Sequence, residues 1–180
     1  KEAHKRGLSN FKSTPEALDV YTKKSTKQLF EKHKVLNHVE VHARHEIELE
    51  AYIKKVQIES RVMGDLALNH IIPTAILYQN KLIENANGLK GLGLDHGAAV
   101  ESIKEISKHL ATLQSDVNAM TEARKQLNKE EDVTKRAKGY QSKVKEAYFD
   151  KIRYAVDKLE LLVDDESWPL VKYRELLFIR

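Results

Sequence analysis

The sequence contains no cysteine, so disulfides, thiolate metal sites and cysteine nucleophiles are all excluded. It has no signal-peptide pattern and no apolar stretch near the roughly 20 residues that cross a bilayer. We therefore expect no membrane span, and the missing cysteine is compatible with a reducing compartment such as the cytoplasm. The first residue is Lys1 and not methionine, so we expect a segment of a larger protein.

Proline and glycine are also scarce, with three and seven among 180 residues, whereas 32% of the residues are charged. This composition is typical of long, surface-exposed helices, and the length suffices for one domain with its own core. We predict an all-α fold. It is an elongated antiparallel helical bundle with one very long proline-kinked helix, a coiled-coil-like hairpin and short N-terminal helices.

Charge is distributed unevenly along the chain. Residues 1–37 hold nine lysines and arginines against four acids, whereas residues 38–180 hold twenty-two against twenty-three. We therefore divide the chain into a basic N-terminal segment, 1–36, and a long helical bundle, 37–180, within a single domain overall. The lysines are not interleaved with stacking aromatic residues and no recognition motif follows, so we expect no nucleic-acid partner.

Local signals predict three helix starts, namely an N-cap with a first-turn proline and two capping boxes. The residue pairs are Thr14 with Pro15, Ser25 with Gln28, and Asn37 with Glu40. We expect two short helices over 15–34 and a long helix that begins after Asn37.

A helical apolar pattern runs from His38 to Leu92 and contains Pro73. Proline cannot donate to the carbonyl of Asn69 and crowds it, so we expect a kink that frees this carbonyl. The inward positions follow the helical period. They are Leu49, Tyr52, Ile53, Val56, Met63, Leu66, Ala67, His70 and Leu77.

The glycine-rich segment 88–94 superficially resembles a phosphate-binding loop. No strand precedes it, its glycine spacing matches neither a Walker loop nor a dinucleotide fingerprint, and no Lys-Ser/Thr pair follows. We interpret it as a turn between helices.

Two further helices with regular apolar spacing follow this turn. The first has a coiled-coil seam, in which Arg124 fills one place. Its apolar members are Ile103, Ile106, Leu110, Leu113, Val117, Met120 and Leu127. In the second, four-residue steps around Val144 and Tyr148 form a stutter, where we expect relaxed supercoiling. Its inward positions are Val133, Ala137, Tyr140, Val144, Tyr148, Ile152, Ala155, Leu159 and Leu162.

Helix lengths constrain the pairing of these segments. At about 1.5 Å per residue the first long helix exceeds both later ones, so an antiparallel hairpin places residue 128 level with residue 57. Residues 38–56 then overhang the hairpin. We expect the overhang to be covered by the N-terminal segment or another chain, through contacts of Ile47, Leu49 and Ile53 with Leu29, Phe30 and Val35. The last long helix should end near Val163, which places Trp168 and an amphipathic tail, Tyr173 to Phe178, near the glycine turn.

His38, His42 and His45 share one helical face, a spacing that can bring imidazoles to a divalent metal. No supporting carboxylate is evident, and the zincin pattern fails because Leu49 occupies the place of its second histidine. We keep the three histidines as candidates and assign no metal, cofactor or catalytic residue.

A second polar set precedes and surrounds the proline. We interpret it as a structural network that ties the helix to a neighbour and satisfies the carbonyl freed by Pro73. Its members are Glu59, Arg61, Asp65, Asn69 and His70. Gly64 lies among them and predicts the close approach of another backbone, because a mid-helix glycine costs about 1 kcal/mol against alanine. We expect the acidic cluster 164–166, which is unfavourable at a helix C-terminus, to pair with a basic partner.

Several long ungapped blocks resemble the C-terminal region of type III glutamine synthetases, and the resemblance runs essentially from end to end. The blocks are Glu46–Asp65, Asn69–Ala75, Tyr78–Asn85, Asp157–Asp165, Trp168–Leu170 and Lys172–Phe178. The resemblance implies a parent enzyme that makes glutamine from glutamate, ammonia and ATP with a divalent metal such as Mg²⁺. It also implies a cytoplasmic dodecamer of two stacked hexameric rings.

The family's nucleotide signature, metal-binding glutamates and phosphate-handling arginines belong to its catalytic core, and none of those motifs occurs in this sequence. No family catalytic residue is therefore carried over. The resemblance favours an assembly or regulatory module that is inactive alone and binds its own catalytic core and neighbouring subunits. The alternative is a free-standing helical adaptor whose basic arm recruits an acidic partner.

Overall fold

The computed structural model of the chain describes residues 2–177, with the backbone alone at 173 and 174. These residues form helices, turns and loops without a β-strand, which confirms the all-α fold. The α-helices are α1 (Glu2–Lys5), α2 (Thr14–Leu18), α3 (Lys24–Lys32), α4 (His38–Asp65), α5 (Ile72–Gly91), α6 (Gly97–Leu127), α7 (Val133–Gly139), α8 (Asp150–Leu162) and α9 (Tyr173–Leu176). A 3₁₀-helix spans Asp19–Thr22, and two π-helices, π1 and π2, span Leu66–Ile71 and Tyr140–Phe149.

The chain divides into two compact units. The first unit holds the residues up to 59 together with 123–146, and the second holds 60–122 together with the residues from 147 onward. The sequence-based division at residues 36 and 37 stays a prediction. Within residues 2–177, no helix is both long and apolar enough to cross a membrane.

The starts of α2 and α3 lie slightly before their predicted positions. Ser13, and not Thr14, is the N-cap of α2, and neither it nor Lys23, the N-cap of α3, makes a side-chain capping bond. The capping box predicted at Ser25 is therefore wrong, because Ser25 already lies inside α3. Pro15 occupies the first turn of α2, as predicted.

The capping box at the start of α4 is confirmed. The Asn37 backbone N–H donates to Glu40 Oε2 over 2.7 Å, and Asn37 Oδ1 accepts from the N–H groups of Val39 and Glu40 over 3.0 and 2.9 Å. These bonds satisfy donors that a helix N-terminus leaves without intrahelical partners. The capping box thus fixes where the long helical run begins.

The helical run continues from α4 through π1 into α5 and so passes Pro73 without a break. The Ile72 N–H donates to the carbonyl of Ala67, five residues back, so a wider turn precedes the proline. The extra residue in that turn shifts the inward face. Ile71 and Ala75 are buried, whereas His70 is exposed and Leu77 is 66% exposed. The prediction that His70 and Leu77 face inward is therefore wrong.

The glycine-rich segment forms the predicted turn between α5 and α6. Gly93 adopts φ +72°, the left-handed conformation that glycine tolerates best. The Gly93 and Leu94 N–H groups donate to the carbonyls of Lys90 and Leu89 over 3.1 and 2.9 Å, which is the Schellman pattern of a helix C-terminus. The turn is therefore a closed helix cap.

Gln79 joins α5 to α6 within the second unit. Its Nε2 donates to the carbonyl of Ile103 over 3.0 Å and to Ser107 Oγ over 2.6 Å. The predicted seam of α6 is buried at its centre and half-buried at Ile103, Leu110 and Leu127. The buried members are Ile106, Leu113, Val117 and Met120.

The predicted stutter coincides with π2. A helix with i→i+5 hydrogen bonds has more residues per turn than an α-helix, so residues spaced by four remain closer to one face. Tyr140, Val144 and Ile152 are fully buried, and Tyr148 between them is half-buried. The local winding therefore follows the sequence spacing.

The covering of the overhang differs from the prediction. Leu49 and Ile53 are buried, but Ile47 is 60% exposed, as are Leu29 (56%) and Val35 (62%). The 3₁₀-helix Asp19–Thr22 and π2 supply polar partners to α4 in this region, and Phe30 of α3 is half-buried.

The chain after α8 does not return to the glycine turn. Helix α8 ends at Leu162 with Val163 as its C-cap, as predicted. Trp168 is buried beside Leu66 and Ile71, about twenty residues before the glycine turn, so its predicted position was wrong. Phe178, the predicted end of the tail, lies outside the described residues.

Candidate functional site

The three candidate histidines of α4 have different surroundings. His38 and His42 are exposed, and His42 Nδ1 lies 3.6 Å from Glu46 Oε2, whereas His45 is buried with 3% of its surface exposed. In the part of the chain that the structure describes, no three His, Cys, Asp or Glu side chains are arranged to hold a metal ion. Metal binding by these histidines therefore stays a hypothesis, because no group of three possible ligands converges there in the described structure.

His45 faces an ion pair that joins the N-terminal segment to α7. Asp19 Oδ2 accepts from Lys138 Nζ over 2.7 Å, and Asp19 Oδ1 lies 4.0 Å from His45 Nε2. Burial lowers the pKa of His45, although the nearby Asp19 carboxylate opposes the shift. Within residues 2–177, His45 Nε2 has no hydrogen-bond partner. The neutral imidazole therefore fits this position best.

A polar cluster of Gln57, Asn128 and Tyr140 joins α4 to the loop after α6 and to the start of π2. Gln57 Nε2 donates to Asn128 Oδ1 over 2.6 Å and to the Tyr140 hydroxyl over 2.8 Å. The Tyr140 hydroxyl donates to Asn128 Oδ1 over 2.5 Å. The sequence analysis did not predict this cluster, although it placed residue 128 beside residue 57 along the length of the helices.

Tyr52 makes a second polar contact one turn earlier on α4. Its hydroxyl donates to Gln141 Oε1, and Gln141 Nε2 donates in turn to Glu146 Oε1 over 2.8 Å. Burial, with smaller contributions from the Glu146 and Glu59 carboxylates, raises the pKa of Tyr52 to about 12. Tyr52 therefore stays protonated at neutral pH and acts as a hydrogen-bond donor.

The polar set predicted around Pro73 is mostly at the surface. Arg61, Asp65, Asn69 and His70 are exposed and Glu59 is half-buried. Asn69 Nδ2 donates to Asp65 Oδ1 over 2.5 Å along the same helix. The wider network stays a prediction.

Gly64 does not admit another backbone, contrary to prediction. A Cβ built there would meet the side chain of Val117 at 3.5 Å, which is ordinary van der Waals contact. The closest approach to a glycine is at Gly139, where the neighbour is the Leu127 side chain. The glycine that packing requires is thus Gly139, and not Gly64 as predicted from the sequence.

The second unit contains an apolar cavity of about 370 Å³ between π1, α8 and the chain after α8. Its walls include Ile71, Ile152 and Trp168, and Asp157 and Glu160 lie at its edge. A mostly apolar concave surface with a few polar groups is the usual form of a binding pocket. Sequence reasoning missed it, because it placed Trp168 elsewhere.

The acidic cluster after α8 has a basic partner within the same chain. Lys172 Nζ donates to Asp165 Oδ1 and, over 3.0 Å, to the carbonyl of Glu160. A hydrogen bond from Ser167 Oγ, 2.5 Å long, holds the pKa of the Asp164 carboxyl below its usual range. The predicted pairing with a basic group is thus met in part by Lys172.

The glycine-rich turn does not fit a phosphate. Its Gly93 and Leu94 N–H groups are used in the helix cap, and the Gly97 N–H donates to Asp95 Oδ1 over 2.9 Å. A carboxylate at the start of α6 would repel an anion there. These N–H groups of the turn are therefore already used by the chain itself.

The regular secondary structure of the described residues is thus entirely helical. A family model of the "Glutamine synthetase C-terminal domain" matches residues 1–90, half of the chain. The chain belongs to this family of glutamine synthetase C-terminal domains.

Two curated relatives extend the match over the rest of the chain. "Glutamine synthetase" of Bacteroides fragilis (strain YCH46) is 44% identical over 185 residues, and "Type-3 glutamine synthetase" of Dictyostelium discoideum is 31% identical over 193 residues. Each alignment covers 99% of this chain and 25% of the relative. The chain therefore spans about a quarter of the length of these relatives.

Proposed function

We propose that this chain is the assembly or regulatory module of a type III glutamine synthetase and contributes no catalytic group itself. The observation that carries the proposal is the 99% coverage of this chain by glutamine synthetases of which it spans 25%. An all-helical segment with polar contacts and exposed apolar side chains supports a role in binding other parts of a protein.

The parent enzyme would join glutamate to ammonia with ATP and a divalent metal such as Mg²⁺. The described residues of this chain do not fit either cofactor, because the candidate histidines do not converge and the glycine turn presents Asp95. The proposal therefore assigns nucleotide and metal binding to the rest of the parent.

The proposed partners are the parent's own catalytic core and neighbouring subunits, within a cytoplasmic dodecamer of two hexameric rings. Exposed apolar side chains on α4 support such contacts, because the burial of apolar surface drives most association between proteins. Val39, Ile47 and Ile58 are 60–63% exposed. The buried α6 seam supports a coiled-coil-like hairpin as the rigid part of the module.

The proposal is tested first with the isolated chain. Calorimetry with ATP and Mg²⁺ should give no saturable heat, and an assay with glutamate, ammonia and ATP should give no glutamine. The full-length Bacteroides fragilis enzyme serves as the positive control in the same assay. Glutamine formed by the isolated chain above the blank would overturn the statement that it contributes no catalytic group.

A further inference from the structure

The apolar cavity of the second unit continues into exposed apolar surface. Trp168 is 7% exposed in the cavity wall, whereas Val171 and Leu176, which also line it, are 63% and 66% exposed. A volume of about 370 Å³ lies within the usual range of ligand pockets, about 300–1,000 Å³, and leaves room for one aromatic side chain. The cavity is therefore suited to an apolar anchor from another polypeptide.

The edge of this cavity carries excess negative charge. Asp157 is paired with Arg153 over 3.6 Å, and both residues line the cavity. Glu160, which also lines the cavity, makes no ion pair within the described part of the chain, so the charged lining carries one net negative charge. An apolar anchor next to basic residues would complement this edge.

The chain itself contains a segment with that chemistry. Residues 5–12 include two lysines and one arginine, and no acid. Between these basic residues lie Leu8, 63% exposed, and Phe11, 42% exposed. The Phe11 ring has a cation–π contact with Lys23 Nζ, which lies 5.7 Å from the ring centroid. An exposed cation–π contact is weak, so Phe11 can leave it.

We propose that residues 5–12 of a second copy of this chain dock on the apolar cavity of the second unit. Phe11 enters the cavity beside Trp168, Leu8 covers the exposed apolar edge, and the flanking basic residues approach Glu160. The contact rests on the proposed function as an assembly module and deepens it by naming one pair of surfaces. Because the two surfaces differ, a copy can bind one neighbour through each, so association need not stop at dimers.

A single tryptophan makes this contact directly measurable. Trp168 is the one tryptophan of the chain, and a peptide of residues 5–12 contains neither tryptophan nor tyrosine. Titration of the chain with this peptide should give a saturable change in Trp168 fluorescence. The same peptide with Phe11→Ala should bind at least about tenfold more weakly, because it lacks the apolar anchor.

Charge variants test the acidic edge. Glu160→Gln should weaken peptide binding about threefold to fivefold at low salt, and added salt should weaken binding to the unaltered chain. Glu84→Gln is the matched control, because Glu84 is exposed on α5 in the same unit and does not line the cavity. Equal effects of the two substitutions would contradict the proposed charge pairing.

Sedimentation tests whether the occupant is a second copy. The native chain should associate with rising concentration, and the full-length Phe11→Ala chain should associate at least about tenfold more weakly. A native chain that stays monomeric while the peptide binds would overturn the second-copy occupant, and no saturable fluorescence change would overturn the docking site. Neither failure affects the glutamine assay, so the proposed function is tested separately.

Discussion

Gln57 and Asn128, which are 71 positions apart in the sequence, are joined by a 2.6 Å hydrogen bond between their side-chain amides. The Tyr140 hydroxyl contacts both residues, so one small cluster fastens three segments of the first unit. Tyr140 is fully buried, whereas Asn128 is exposed, so the cluster lies where the core meets the surface. The cluster holds Gln57 of α4 beside Asn128, as the helix lengths alone predict.

The substitution Tyr140→Phe should destabilise the chain by about 1–3 kcal/mol. The substitution removes the hydroxyl that accepts a hydrogen bond from Gln57 and donates one to Asn128. Each of these two amides then loses one hydrogen-bond partner. Urea unfolding measures the change. The matched control is Tyr154→Phe, at a tyrosine 60% exposed, which should stay within about 0.5 kcal/mol of the native chain. Equal midpoints for both variants would show that the cluster does not stabilise the fold.

The substitution Leu113→Ala should cost about 2–5 kcal/mol, because its side chain is fully buried in the seam of α6. Leu110 is half-buried, so Leu110→Ala should cost less. The control Leu94→Ala removes a leucine that is 55% exposed on the glycine turn and should have little effect. An unchanged unfolding midpoint for Leu113→Ala would mean that the buried face is misassigned.

The substitution Gly64→Ala should stabilise the chain by about 0.5–1 kcal/mol. Alanine has the higher helix propensity, and its Cβ would contact Val117 at an ordinary 3.5 Å. The comparison is Gly139→Ala, where the new Cβ would collide with the Leu127 side chain and should remove that gain. Thermal unfolding of the two variants decides between the predictions, and a destabilised Gly64→Ala chain would contradict the packing at Gly64.

Stability should fall as the pH falls below about 6.5, and His45 should account for part of the loss. Its pKa is lowered in the fold by burial, so below the ordinary histidine pKa of about 6.5 the unfolded chain binds more protons there than the folded chain. His45→Gln should reduce the difference in unfolding free energy between pH 7.5 and pH 5. A titration of His45 by NMR with a midpoint above the ordinary histidine pKa of about 6.5 would contradict this account.

The sequence predicts much of the fold because its signals are local. The capping box at Asn37, the glycine turn and the seam through Leu113 each depend on residues a few positions apart. The π-helix before Pro73 was not predicted, and its extra residue exposes His70 and Leu77, which a regular α-helical period directs inward.

The polar contacts and the cavity depend on residues far apart in the sequence. Spacing placed residues 57 and 128 at one level but did not indicate that Tyr140 would complete a cluster with them. Trp168 was misplaced because the path of a chain after its last long helix leaves no periodic pattern. Tertiary packing, and not propensity, determines both features.

The central claim is that this segment supplies subunit contacts to a glutamine synthetase and not chemistry. The most direct measurement is the particle mass, by native mass spectrometry, of a full-length enzyme that contains this segment and of the same enzyme with the segment deleted. Circular dichroism of the deleted form checks that the remaining protein is folded. The account predicts fewer subunits per particle in the deleted enzyme. An unchanged number of subunits, together with unchanged glutamine formation and unchanged regulation, would contradict it.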